Sequence, residues 1–294
     1  MTKPHAPAVQ EALFPAPPVP LPDLREYDLI IVSISGGKDS MAALAETVRH
    51  ARKAEVPDRV ITVFCDLGPD DEWPGTKELA AEHAAFYGLR HEVVYRTVPG
   101  PDGEPVPQTL GEHIEQRGKW PDAANRYCTS DMKRAPVYKL MTRLAAECRA
   151  GGVTGRPVRF LNVLGMRAQE SPKRAAMVPF CRDERASNKT VRHVDEWLPV
   201  HDWDVARVWA GIAGSGMRAH WVYRYLPRLS CRFCVLASLT ALINAVHLDA
   251  EGARKIAERE ARMGHDFKHK MPMREIIRLA GQMPAPPPAD DWVA

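Results

Sequence analysis

The chain has 294 residues, 45% of them hydrophobic and 26% charged, with a formal net charge of +3. This reads as a globular protein with one large domain, or a domain plus an appendage. The charge permits a nucleic-acid partner without requiring one. The longest mostly apolar stretch, residues 235–246, is too short to span a bilayer and contains Ser238, Thr240 and Asn244, which excludes a membrane segment there.

Residues 1–26 carry seven prolines and read as an extended, disordered lead-in, as do residues 282–294. No basic start joins an apolar core at the N-terminus, so a cytoplasmic location is expected. In that compartment the six cysteines are thiols, metal ligands or catalytic groups rather than structural disulfides.

The core is expected to start at Tyr27. A buried strand over residues 28–34 leads into Ser35-Gly36-Gly37-Lys38-Asp39-Ser40, then a helix to about residue 54. Strand, glycine turn and helix together build an anion cradle: Gly36 and Gly37 permit the tight turn, and the helix start adds unpaired N–H groups. Lys38 adds a cation, and Ser35 and Ser40 add donors. Asp39 fits a phosphate site only by holding a metal ion, such as magnesium, or by orienting the loop.

A second strand covers residues 60–65 and ends at Asp66, which reads either as a strand-end cap or as a ribose or metal contact. Cys65, just before it, reads as core. A helix over residues 75–86 stops at Gly88, and a third strand covers residues 91–95. Alternating strands and helices predict a parallel sheet with ligands at the carboxyl ends of its strands. Residues 99–107 read as a surface loop, with a short helix over residues 109–117.

Cys128 lies among Arg126, Lys133 and Arg134 at an expected helix start, where the dipole and the cations are expected to lower its pKa. A fourth strand, residues 159–165, ends at Gly165, which permits close backbone approach. Arg167, Lys173 and Arg174 follow it. Residues 175–197 read as a hairpin carrying Cys181, and residues 205–212 as a helix. Cys231 and Cys234 form a C-x-x-C, which in this compartment indicates metal, iron–sulfur or redox chemistry. A zinc site needs four ligands, so Cys128, Cys181 or a histidine would have to complete one.

These motifs resemble the phosphoadenosine phosphosulfate (PAPS) reductase-like family of the PP-loop ATP pyrophosphatase superfamily. SGGKDS is similar to the PP-loop. Arg126, Cys128, Thr129, Lys133 and Pro136 match R-x-C-T-x-x-x-K-x-x-P, and Gly165, Arg167, Glu170, Ser171 and Arg174 match G-x-R-x-x-E-S-x-x-R. Pro199, Trp203, Val208 and Trp209 match a packing segment, and R-x-S-C-x-x-C ends at Cys234. The resemblance covers residues 27–270. It implies an α/β fold with a parallel sheet and helices on both faces (adenine nucleotide α-hydrolase-like), followed by a mostly helical C-terminal part. The expected division is residues 27–200 for the nucleotide domain and 201–281 for the helical region.

The resemblance further implies ATP cleavage between the α- and β-phosphates, with adenylylation coupled to sulfur transfer. Members of DNA phosphorothioation systems are the nearest in motif, followed by tRNA thiolases. ATP would contact Ser35, Gly36, Gly37, Lys38, Asp39, Ser40, Asp66, Gly165 and Arg167. Lys38, Asp39, Arg167, Arg174 and Cys128 would be the catalytic set, with magnesium at Asp39. Cys128, Cys231 and Cys234 would hold a [4Fe–4S] cluster, with Cys181 a candidate fourth ligand. Implied partners are DNA or tRNA and a sulfur donor such as a cysteine desulfurase, with no membrane.

Two alternatives stand beside this reading. Reduction of PAPS or adenylylsulfate needs a C-terminal cysteine, and no cysteine follows Cys234. A non-enzymatic nucleotide- or nucleic-acid-binding role would use Arg207, Arg218, Arg224, Arg228 and Arg232, interleaved with Trp221, Tyr223 and Tyr225, as a basic aromatic surface.

Overall fold

A computed structural model describes residues 20–289; residues 1–19 and 290–294, parts of the two expected tails, lie outside the described residues. Order begins ahead of Tyr27, because Leu24–Glu26 form a 3-10 turn capped by Asp23 and Leu24 is buried. At the other end, Ala289 donates its N–H to the Arg224 carbonyl at 2.8 Å, so the expected C-terminal tail is tied down there.

The elements follow the alternation read from the sequence. β1 (Leu29–Ser33) leads to α1 (Lys38–Lys53), β2 (Val60–Cys65) to α2 (Thr76–Phe86), and then comes β3 (Arg90–Val94). The expected loop at 99–107 is instead the tip of a hairpin, β4 (Arg96–Pro99) against β5 (Pro105–Gln108). Its prolines are tolerated because a two-stranded hairpin has only edges. α3 (Leu110–Arg117) starts at a capping box in which Thr109 and Glu112 satisfy each other's backbone N–H.

α4 (Tyr127–Thr129) runs through a π-helical turn, Ser130–Arg134, into α5 (Ala135–Ala150). β6 (Val158–Leu164), the short α6 (Pro172–Ala175), β7 (Phe180–Arg182), β8 (Arg192–Trp197) and α7 (Val205–Ser215) follow. Three helices close the described chain: α8 (Leu239–Leu248), α9 (Ala250–Met263) and α10 (Met273–Ala280).

Six strands form one sheet in the order β3-β2-β1-β6-β8-β7, all parallel except β7. The expected hairpin of residues 175–197 is thus part of the main sheet, since β8 also pairs with β6. β1 places Ile30 and Val32 against one face with α1 and α7, and Ile31 against the other with α5. This is the two-residue period of a strand covered on both sides. Ile30, Ile31 and Val32 are fully buried, and each contributes roughly 1.5–3 kcal/mol of transfer free energy.

A separate core joins α8, α9 and α10 to α3 and the Tyr127–Met132 segment through Leu242, Ile256, Ile276, Ile114 and Met132. No described helix is long and apolar enough to cross a membrane.

Candidate active site at the switch point of the sheet

The chain runs outward from β1 in one direction to β2 and β3, and in the other to β6 and β8. The crevice between the carboxyl ends of β1 and β6 is therefore the point where the winding reverses, the usual ligand position in such sheets. SGGKDS follows β1, and Gly165-Met166-Arg167 follows β6, so the two motif loops are neighbours.

Gly36 has φ +68°, in the left-handed region that favours glycine. Gly37 caps α1 and offers no side-chain acceptor to the first helical N–H groups. Ser40 braces the loop from inside: its hydroxyl donates to the Gly37 carbonyl at 2.8 Å and accepts the Ser35 N–H at 3.1 Å. Ser35 is exposed at the mouth of the loop. Gly165 touches the same turn. A Cβ there would lie 2.4 Å from the Asp39 carbonyl oxygen and 2.7 Å from the Ser40 nitrogen, so only glycine fits.

Charge is concentrated here. Lys38 is 3% exposed, and its ammonium donates to the Pro227 carbonyl at 3.1 Å and lies 3.8 Å from Asp39 Oδ2. Burial pulls its pKa down, partly offset by Asp39. Arg167 is also buried, and its Nε donates to Asp39 Oδ1 at 2.6 Å. Asp39 therefore orients Arg167 and the loop.

Glu170 is a second hub. Its carboxylate accepts the Arg167 N–H, contacts Arg174 directly and lies 3.3 Å from Arg228 Nη2. Burial, followed by the positive charge of Arg228, brings Arg174 down to about 10, and Arg126 and Arg167 push the same way. Cations from four segments thus crowd around two carboxylates. Such repulsion is relieved by a bound polyanion.

Asp66 is engaged on both oxygens. Oδ1 accepts the Gly68 N–H at 2.9 Å, and Oδ2 pairs with Lys77 at 2.7 Å. These contacts are those of a strand-end cap.

The cysteines divide. Cys128, Cys231 and Cys234 line one cavity together with Asp71, Trp120 and Phe233. Arg232 fixes the C-x-x-C there: it pairs with Asp249 at 2.7 Å and donates to the Pro69 and Glu72 carbonyls of the loop after β2. A π-helical turn starts at Ser130, two residues after Cys128, a feature frequent at functional sites.

The expectation of a lowered Cys128 pKa is corrected. Burial pushes the thiol up, and Lys133 only partly opposes it. Burial also raises Cys231. Cys65 is core-like as expected; its thiol donates to the Lys133 carbonyl, and burial raises its pKa to about 11.

Cys181 is not with the other three. It lies on β7 opposite Glu196 of β8, beside a different cavity lined by Tyr27, Arg159, His193 and Asp195. Among the described residues, no three His, Cys, Asp or Glu side chains form a ligand set for a metal ion. The three grouped thiols suit a thiophilic metal in donor type and in sharing a cavity, but they are not at ligand spacing.

The expected basic aromatic surface is also corrected. Arg218 pairs with Glu82 at 2.6 Å, Arg207 stacks on Trp203, and Arg228 and Arg232 are paired as above. Tyr223 is buried, and Trp221 donates its N–H to the Pro74 carbonyl at 3.1 Å. Trp209 packs edge-on against Tyr223, a packing role as expected. Glu170 was read only as a motif match, and Arg228 and Tyr223 only as members of the expected surface; their contacts at this site were not anticipated. Glu170 and Arg228 lie within or beside the matched motifs, whereas Tyr223 lies outside them.

The phosphoadenosine phosphosulfate reductase domain model matches residues 29–234, a span that contains the glycine loop, the Gly165–Arg174 loop and all three grouped cysteines. The chain belongs to this family. No curated protein matches it.

Among solved structures, it is similar to phosphoadenylyl-sulfate (PAPS) reductase from Candida auris in a phosphate complex. The identity is 19%, the match covers 68% of this chain and 81% of that one, and the TM-score is 0.41. It is also similar to Candida glabrata FMN adenylyltransferase with FMN and an ATP analogue (16% identity, 69% and 55% coverage, TM-score 0.42). A third is the U34-tRNA thiolase NcsA from Methanococcus maripaludis with its [4Fe-4S] cluster (10% identity, 88% and 74% coverage, TM-score 0.40).

Proposed function

We propose that the chain binds ATP at the switch point, cleaves it between the α- and β-phosphates to adenylylate an acceptor, and couples this to sulfur transfer, with nucleic acid as the acceptor class. The observation that carries this reading is the crowding of Lys38, Arg167, Arg174 and Arg228 around Asp39 and Glu170 beside the glycine loop. Four cations on two carboxylates leave charge for a polyphosphate. Family membership supports nucleotide chemistry at this site.

In this reading the glycine loop seats the phosphates, while Lys38, Arg167 and Arg174 neutralise the charge that develops as pyrophosphate leaves. Asp39 holds Arg167 in place. Asp39 would be the carboxylate nearest a magnesium ion bound with the nucleotide, and the ion would supply further charge neutralisation at the phosphates. Cys128, Cys231 and Cys234 would hold an iron–sulfur cluster, which when bound would supply the thiophilic site for sulfur. Most of their cavity's lining is apolar, including Trp120, Phe233 and Ile256.

The test is incubation of anaerobically purified protein with α-labelled ATP and candidate nucleic-acid acceptors. AMP and pyrophosphate are expected; ADP and orthophosphate would contradict the reading. The family assignment favours one second reading, reduction of a sulfonucleotide held by the same cations. Sulfite release from PAPS with a thiol reductant would single it out.

A further inference from the structure

The glycine loop is not bordered by the two sheet loops alone. A segment 185 residues downstream reaches it: the Lys38 backbone N–H donates to the Tyr223 hydroxyl at 2.7 Å. Tyr223 is 7% exposed, and the Lys38 ammonium lies 5.2 Å from its ring centre. The Leu229 N–H also faces this hydroxyl. Four residues beyond Tyr223, the Pro227 carbonyl accepts the Lys38 ammonium at 3.1 Å. Next, Arg228 reaches Glu170, and the Leu229 side chain lies 3.7 Å from where a Cβ on Gly36 or Gly37 would stand. Two residues later comes Cys231. Residues 223–229 are therefore laid along the glycine loop through backbone, ammonium, ion-pair and apolar contacts, and they continue directly into the C-x-x-C.

The decisive contact is that of Lys38. Its ammonium is buried and satisfied by a neutral carbonyl, with Asp39 at the longer distance of 3.8 Å. A charge-assisted bond to a phosphate oxygen is roughly twice as strong as one to a neutral acceptor. A phosphate in the cradle would therefore compete for this ammonium with the Pro227 carbonyl. The Tyr223 hydroxyl contacts the backbone and not the ammonium, so it would persist and act as the pivot.

We propose that residues 223–229 form a coupling strap and that Tyr223 is its positioning residue. Nucleotide at the glycine loop draws Lys38 away from Pro227 and loosens the strap, and the change is passed to Cys231 and Cys234. This rests on the nucleotide reading above. It adds a route by which occupancy of the phosphate site is felt at the thiols.

Hydrogen–deuterium exchange on the full chain, with and without an ATP analogue that resists α/β cleavage, tests the strap. Calorimetry measures binding in parallel. Exchange at residues 35–40 should fall while exchange at 224–234 rises several-fold. Without nucleotide, Tyr223→Phe should already raise exchange at 224–234, with β1 and β6 unchanged, and added nucleotide should raise it no further. Binding with unchanged or uniformly slowed exchange at 224–234 overturns the coupling and leaves the nucleotide reading intact. No binding overturns the nucleotide reading. The Tyr223→Phe arm needs no ligand, and exchange equal to the parent's there overturns the strap itself.

Discussion

Arg167 Nε donates to Asp39 Oδ1 at 2.6 Å, joining the loop after β6 to the first turn of α1 across 128 positions of sequence. Both side chains are largely removed from water. Such a pair gains little over apolar packing but is costly to break from one side, at about 3–5 kcal/mol. Asp39→Asn should therefore destabilise the fold by an amount in that range, read by urea denaturation. Arg167→Leu added to it should cost much less than the sum of the two single changes. Additive costs would show that the two residues are not coupled.

Gly165→Ala should fail for a different reason. Its Cβ would meet backbone atoms of Asp39 and Ser40, which have no rotamer to change. Overpacking of this kind costs about 1–3 kcal/mol or more, and it displaces the turn that forms the cradle. The expected result is a lowered denaturation midpoint together with weakened ATP binding in calorimetry. Parental affinity would show that the contact is not needed for the cradle.

A third expectation concerns acid. His220 is 1% exposed; its Nδ1 accepts the Val222 N–H, and its Nε2 lies 3.2 Å from Thr76 Oγ1. These contacts suit the neutral ring, and burial brings its pKa down to about 4, with Arg218 and His83 pushing the same way. Between pH 4 and the ordinary histidine value near 6.5, the unfolded chain binds the extra proton. The stabilisation is therefore present above that window and lost as pH falls through it. His220→Gln should flatten the slope of unfolding free energy between about pH 7 and 5. An unchanged slope would assign the acid sensitivity elsewhere.

The cysteines give a fourth expectation. In anaerobically prepared protein, replacing Cys128, Cys231 and Cys234 together by Ala should abolish bound iron while ATP binding persists. Cys181→Ala should leave iron content unchanged, since Cys181 faces a different cavity. Loss of iron in Cys181→Ala would contradict this assignment, and zinc in place of iron would replace the cluster by a structural site.

The parts of the fold that local chemistry determines were legible. β1 reads from an unbroken apolar run, the cradle from two adjacent glycines before a helix, and the β6 loop from Gly165 with its cations. Residues whose role depends on distant partners were not. The Tyr223 hydroxyl meets a backbone N–H 185 positions away, which no local pattern encodes. The surface expected around Arg218 and Arg232 dissolved because Glu82 and Asp249 come from other elements. The hairpin of β4 and β5 was hidden by Pro99, Pro105 and Pro107, which normally mark a loop. Cys128 was read from nearby charge, whereas burial decides its protonation.

The glycine loop and the thiols rest on different foundations. Ile30 and Leu161, beneath that loop, belong to the core of the sheet, whereas Phe233 belongs to the core of the closing helices and Cys231 packs against it. Two separately packed cores need not melt together. Heat or denaturant that first releases α8, α9 and α10 would strip the cavity around the cysteines while the glycine loop stayed formed. A sample stressed in this way would keep the glycine loop after losing the thiol cavity, so the integrity of one is a poor measure of the other.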